Sequence, residues 1–200
     1  MSKRAPTFAD EPIFVTESRS VELYHFAYGP NMNALQIGRL CSKPKVVTIA
    51  RLPDYRVGFF GYSPVWDGAQ ESVVREPGHD VWGVVYKLSP SDKESLDASQ
   101  DVRMDGNGNY FHYPARVDGV DGRTYTVLFY KKDILGKPEK PSRPYLDIIV
   151  SGAEEKQLPA EYVQELRAIE SKSPSYPVPR LRKFTAGILA AGDDCSSCSD

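Results

Sequence analysis

Cysteine, histidine and net charge are all scarce in this chain, and each scarcity removes a class of protein. Three cysteines in 200 residues are an odd count and too few to staple a small secreted fold. With 25 basic and 27 acidic side chains the net charge is only −2, so no broad field draws in nucleic acid or an anionic membrane. No stretch approaches the roughly 18 consecutive apolar residues that a membrane-spanning helix needs. The opening MSKRAPTFADEPIFV carries acids and prolines where a signal peptide has an apolar centre, so Sec export is not expected. The three histidines, His25, His79 and His112, include no pair at metal-ligand spacing. What is present suffices for a core: 40% of residues are hydrophobic and 26% charged, in a length suited to one domain. The expectation is a soluble, cytoplasmic, single-domain protein with no nucleic-acid or membrane partner.

Residues 1–20 are polar and proline-bearing, without helical or alternating spacing, and read as a loose arm. The first strand is 21–27, VELYHFA, which stops in the turn formers of YGPNMN. Asn31 is placed to cap a short helix ending near Arg39. Two strands are expected at 45–52 and 55–60, another at 71–75, and a strand buried on both faces at 80–88, DVWGVVYKL. Ser89-Pro90 opens a helix in the favoured way and should carry it to about Ser99. FHYPARV and RTYTVLFY form a paired set around Asp121-Gly122. A long loop covers 131–144, a short run follows at 145–150, and residues 159–169 show a helical period through Tyr162, Leu166 and Ile169. From Ser171 onward the composition is that of a tail, mobile or laid over the surface. Strands outnumber helices and do not alternate with them, so the class is α+β.

The YGPNMN turn is the first chemical candidate. A strand that ends in a glycine turn and runs into a helix start aims several backbone N–H groups at one point, a geometry that binds carboxylates or phosphates. An ordinary strand-to-helix connection explains the same residues, and Pro30 removes one donor. At the end of the helix near residue 100, Asp97, Gln100 and Asp101 are placed either over a cleft or on a solvated helix end. His25 lies in an apolar strand, His79 in a turn and His112 among aromatics, which suits structural roles. Cys195 and Cys198 form a CxxC without a second ligand pair, and Cys41 is remote. Arg180, Arg182 and Lys183 beside Phe184 make a basic patch too small for nucleic acid. Trp66, Trp82, Tyr86 and Tyr110 read as core, whereas Tyr145, in a proline-flanked loop, is placed to line a pocket.

Four ordered blocks carry a resemblance. LYHFAYGPNMN resembles the YFAYGSNL signature of the γ-glutamylcyclotransferase family, and VWDGAQESVVREPGHDVWGVVYKL resembles that family's middle segment. Leu96-Asp97 through Val102 falls where the family has LD-x-x-EGV, and GAEEKQLPAEYVQELRAIE is similar to the C-terminal helix of the animal-type members. The match spans residues 21–170 and leaves 171–200 outside it.

The resemblance implies a small mixed β-barrel with surrounding helices and a cavity at one end. It implies a γ-glutamyl small molecule as substrate, no metal or cofactor, and 5-oxoproline plus a free amine as products. It leaves monomer or homodimer open. In such a reaction the substrate's own α-amine attacks its γ-carbonyl, so the protein folds the substrate and moves protons. Tyr28, Gly29, Asn31 and Met32 match the family's binding turn, with Pro30 where the family has serine. Tyr145 and a tyrosine near 128–130 are further pocket candidates. The family's catalytic glutamate falls on Gln100, whose amide does not exchange a proton near neutral pH, and the glycine after it falls on Asp101. Three readings follow. Asp101 takes over the proton shuttle, Gln100 is an engineered replacement that traps substrate, or this member binds γ-glutamyl compounds without cyclising them.

Overall fold

Two unusually long strands frame the molecule, and each contains a stretch that reads as a turn. The computed structural model describes residues 23–103, 105 and 107–180. The arm at 1–20, the cysteine pair Cys195 and Cys198, and Arg182, Lys183 and Phe184 lie outside the described residues. The strands are β1 (Leu23–Ala27), β2 (Lys45–Ser63), β3 (Gly68–Leu88), β4 (Phe111–Gly119) and β5 (Thr124–Lys131). The helices are α1 (Ala34–Leu40), α2 (Pro90–Ser99), α3 (Arg143–Glu155) and α4 (Ala160–Ala168), with a 3₁₀ turn at Pro30–Met32.

The pairs of strands expected at 45–52/55–60 and 71–75/80–88 are one strand each. Across β2 and β3 the register jumps from Pro53↔Asp80 to Tyr55↔Arg75. Residues 76–79, EPGH, therefore swing out of the ladder as a bulge, and Asp54 takes φ 62 and accepts a hydrogen bond from the Gly78 amide (3.1 Å). The turn formers keep their local conformation while the sheet continues past them.

The sheet closes into a mixed barrel in the order β1-β3-β2-β4-β5. Antiparallel ladders join β1 to β3, β3 to β2, β2 to β4 and β4 to β5, and a parallel pairing at His25↔Leu128 shuts the ring. Inside it Phe26, Ala50, Leu52, Val81, Val85, Val117, Val127 and Phe129 are buried with the rest of the core.

α2 starts as its sequence dictates: Ser89 accepts from the Asp92 amide (3.1 Å) and Pro90 follows. The cap of α1 is Asn33, which accepts from the Gln36 amide (3.1 Å), because Asn31 is taken into the 3₁₀ turn. Residues 145–150 belong to α3, whose Tyr145, Leu146, Ile149, Val150 and Ala153 form one buried face. α4 presents Tyr162, Val163 and Leu166 to the core, at the helical spacing expected. Residues 171–180 are laid over the surface: the Lys172 amide donates to the Pro141 carbonyl (2.9 Å), Ser175 Oγ donates to Asp67 (2.6 Å) and the Arg180 amide reaches the Val65 carbonyl (2.8 Å). Among the described residues no helix is long and apolar enough to cross a membrane.

Gly83 of β3 marks where β1 lies closest. A Cβ there would collide with the Ala27 carbonyl oxygen and stand 2.8 Å from the Phe26 ring. The obstacle is backbone, so Gly83→Ala is expected to cost about 3 kcal/mol, as overpacking does where nothing yields. Urea denaturation checks this as a lower midpoint at unchanged slope.

Candidate active site

The site grows out of the end of β1. The chain leaves the barrel at Ala27 and turns through Tyr28, Gly29 and the 3₁₀ residues. The Met32 amide bonds back to the Gly29 carbonyl, and the Asn33 amide to the Pro30 carbonyl (both 3.0 Å). With Pro30 lacking an N–H, Gly29 and Asn31 hold the turn's own donors that the turn does not consume. Met32 is wholly buried (0% exposed) beneath the turn, and Gly152 of α3 packs so tightly there that a Cβ would overlap the Asn33 amide. Tyr28 donates its hydroxyl to the Tyr130 carbonyl (2.6 Å), which fixes the turn to β5.

Tyr28, Gly29, Pro30, Asn31, Glu71, Gln100 and Tyr130 surround a narrow floor of about 10 Å³, room for one water-sized group. Gln100 also borders a wider basin of about 780 Å³, walled by Tyr62, Trp66, Gln70, Asp101, Tyr110 and Lys132. That size is ordinary for a small-molecule site. The strap at 171–180 buttresses the basin wall through Asp67 and Val65.

Glu71 is the residue that sequence reasoning passed over. Period-two alternation puts it on the same face of β3 as Ala69 and Val73, and that face is buried; Glu71 itself is 5% exposed. Its carboxylate accepts a short hydrogen bond from the Tyr145 hydroxyl, and its side chain lies directly against Gly29. Tyr110 donates to the Glu71 backbone carbonyl (2.7 Å). The Lys132 ammonium sits over the Tyr110 ring, 4.2 Å from its centre. Burial pushes the Glu71 carboxyl up to about 7, opposed by the Tyr145 hydroxyl and the Lys132 charge. An acid between Ala69 and Val73 on one strand face was the one signal in the sequence that could have flagged it.

The two residues at the end of α2 part company. Gln100 is the helix C-cap, half-buried, and reaches the floor. Asp101 follows at φ 50, and its carboxylate is taken up by Arg103 Nε (2.8 Å) and Asn109 Nδ2 (2.9 Å). Asp101 thus holds Arg103 and Asn109 and borders the basin, not the floor. Tyr145, expected at a pocket, enters the site through its bond to Glu71.

Asp97 holds the far side in place. It accepts from Tyr130 Oη (2.7 Å), Lys93 Nζ (2.6 Å) and meets His112 Nε2 (2.6 Å). Burial alone would raise its carboxyl, but these hydrogen bonds hold it below the usual carboxylate range. His25 packs against the Tyr130 ring, and burial with the nearby His112 lowers it to about 4, so it is neutral at pH 7. Among the described residues no cluster of three or more metal-ligating side chains occurs.

Residues 80–166 match the AIG2-like family. The chain is 32% identical to human γ-glutamylcyclotransferase over 160 residues, covering 78% of this chain and 83% of that one. The chain belongs to the γ-glutamylcyclotransferase family. The bovine γ-glutamylcyclotransferase is 31% identical over 150 residues, covering 73% of this chain and 78% of its own. A solved γ-glutamyl cyclotransferase superposes with a TM-score of 0.73 at 32% identity, covering 78% of this chain and 93% of that one. As a γ-glutamylcyclotransferase-family member the chain has the mixed barrel and the turn after β1 that the resemblance implied, with glutamine where that family's carboxylate was expected.

Proposed function

We propose that the protein cleaves a γ-glutamyl amide to 5-oxoproline and a free amine. The observation that carries this reading is the meeting of the Gly29 turn, a buried carboxylate and Gln100 at one narrow floor that adjoins a larger basin. The turn's amides suit the substrate's α-carboxylate, the floor admits only a small polar head, and the basin has space for the amine that departs.

The chemistry is an intramolecular acyl transfer. The α-nitrogen bonds to the γ-carbonyl carbon and closes a five-membered ring, and the bond from that carbon to the leaving nitrogen then breaks. The α-ammonium gives up two protons in turn and the leaving amine gains two, so no co-reactant is consumed. Holding the two ends of one molecule together supplies much of the rate, and proton transfer supplies a further factor.

The test is release of 5-oxoproline by the full chain from a panel of γ-glutamyl amino acids and γ-glutamyl amines, followed by mass spectrometry. Saturable release is expected, and the preferred member of the panel defines the leaving amine. A folded protein that binds panel members and releases nothing would overturn the reading in favour of a γ-glutamyl-binding protein, the role that glutamine at position 100 otherwise suggests.

A further inference from the structure

The proton carrier has to stand next to the carboxylate cradle, because the substrate's α-carboxylate and α-amine hang from one carbon. A headgroup whose carboxylate meets the amides of Gly29 and Asn31 brings its amine within a bond or two of that turn. Glu71 is packed against Gly29 itself; an added Cβ on Gly29 would stand 2.7 Å from its Cδ and 2.9 Å from its Cγ. Asp101 is on the basin side, with both oxygens engaged by Arg103 and Asn109. Gln100 is on the floor but carries an amide.

We infer that Glu71 is the carboxylate that takes protons from the substrate α-amine and passes them to the leaving nitrogen. The inference rests on the proposed reaction. The acid has crossed the cavity, from the end of α2 to strand β3. Gln100, on the same floor, is suited to donate a hydrogen bond to the γ-carbonyl oxygen as charge develops on it.

The setting of Glu71 fits this work better than a structural one. A buried carboxylate kept for stability is ordinarily ion-paired, but the partner on Glu71 is the neutral Tyr145 hydroxyl. The groups facing it are Tyr145 from α3, Tyr28 from the turn, Tyr110 ahead of β4, Lys132 after β5 and, across the floor, His25 of β1. The tyrosines stay protonated because burial raises them, beginning with Tyr28, Tyr110 and Tyr145. Lys132 alone brings a charge, and desolvation lowers its ammonium. A carboxyl poised near 7 by that burial exchanges protons readily at neutral pH.

The experiment compares the full chain with Glu71→Gln, Gln100→Glu and the double exchange, using 5-oxoproline release and circular dichroism. Glu71→Gln is expected to lower kcat by about 10²–10⁴-fold with KM little changed and the fold intact. The wild-type kcat/KM should rise with pH through about 7, and the variant should lose that rise. Restoring a carboxylate in Glu71→Gln/Gln100→Glu should recover part of the lost kcat with a displaced pH inflection, which a purely structural role of Glu71 would not produce. If wild type and Glu71→Gln release 5-oxoproline at equal rates, the reaction stands and Glu71 is overturned. If wild type releases none, the reaction itself fails and the inference falls with it.

Discussion

Gly29→Ala should leave the barrel standing and cut turnover by about 10²-fold. Gly29 sits at φ −115, outside the left-handed range that favours glycine. What objects is Glu71. The new methyl would occupy the space of its Cγ, Cδ and one oxygen, the end that the Tyr145 hydroxyl holds. The carboxylate has to swing away from the cradle, and displacement of a reacting group by about 1 Å costs roughly that factor. Gly38→Ala is the matched control. Gly38 lies in α1 with nothing within 4 Å of an added Cβ, so that variant should keep full activity and gain a few tenths of a kcal/mol from helix propensity. Turnover from 5-oxoproline release, set beside the thermal midpoint of each variant, checks the pair.

Glu71→Gln should make the protein more stable above pH 7, and the gain should vanish in acid. The Glu71 carboxyl is raised from its ordinary 4.5 to about 7, so the folded state binds a proton the unfolded state has already lost between those values. A group raised in this way contributes fully below the unfolded value, and that contribution drains away as pH climbs through the folded one. At about 1.4 kcal/mol for each unit, the drain amounts to about 3 kcal/mol by pH 8. Glutamine keeps the shape and can still accept from Tyr145, but carries no charge to bury. His25 acts in the opposite direction: lowered to about 4, it withdraws stability as pH falls below 6.5. It is common to both proteins, so the readout is the difference between them, from urea denaturation at pH 4.5 and pH 8. Equal curves at pH 8 would refute a buried charge at position 71. A variant that is more stable and slower would also place the cost of the buried acid at the site that uses it.

The local signals of the sequence carried far. Ser89-Pro90 opened α2, the 3.6-residue spacing of Tyr162 and Leu166 built α4, and Gly29 with its neighbours made the turn after β1. Each rests on interactions within a few residues, which is why one chain segment suffices to read them. The family blocks in their order placed glutamine at position 100, a fact no folding alters. Where the reading stopped, the deciding contact was distant in sequence. EPGH looked like a turn and is a bulge, because only pairing with β2 shows that the ladder resumes beyond it. Residues 145–150 gained their helical identity with the whole buried face of α3, packed on the turn at 30–32.

Glu71 is the sharpest case. In ESVVRE it is one acid of a polar-apolar strand, and alternation alone tells which residues share its face but not whether that face meets water. Closure of the barrel through His25↔Leu128, with Phe59↔Glu71 and α3 laid across the end, turns that face inward and sets the carboxylate against Gly29, 42 positions earlier in the chain. The sequence by itself determined the turn after β1, the family and the glutamine at position 100. Only the tertiary structure decided which carboxylate stands beside that turn. Burial and proximity are properties of the closed sheet, and no stretch of chain possesses them alone.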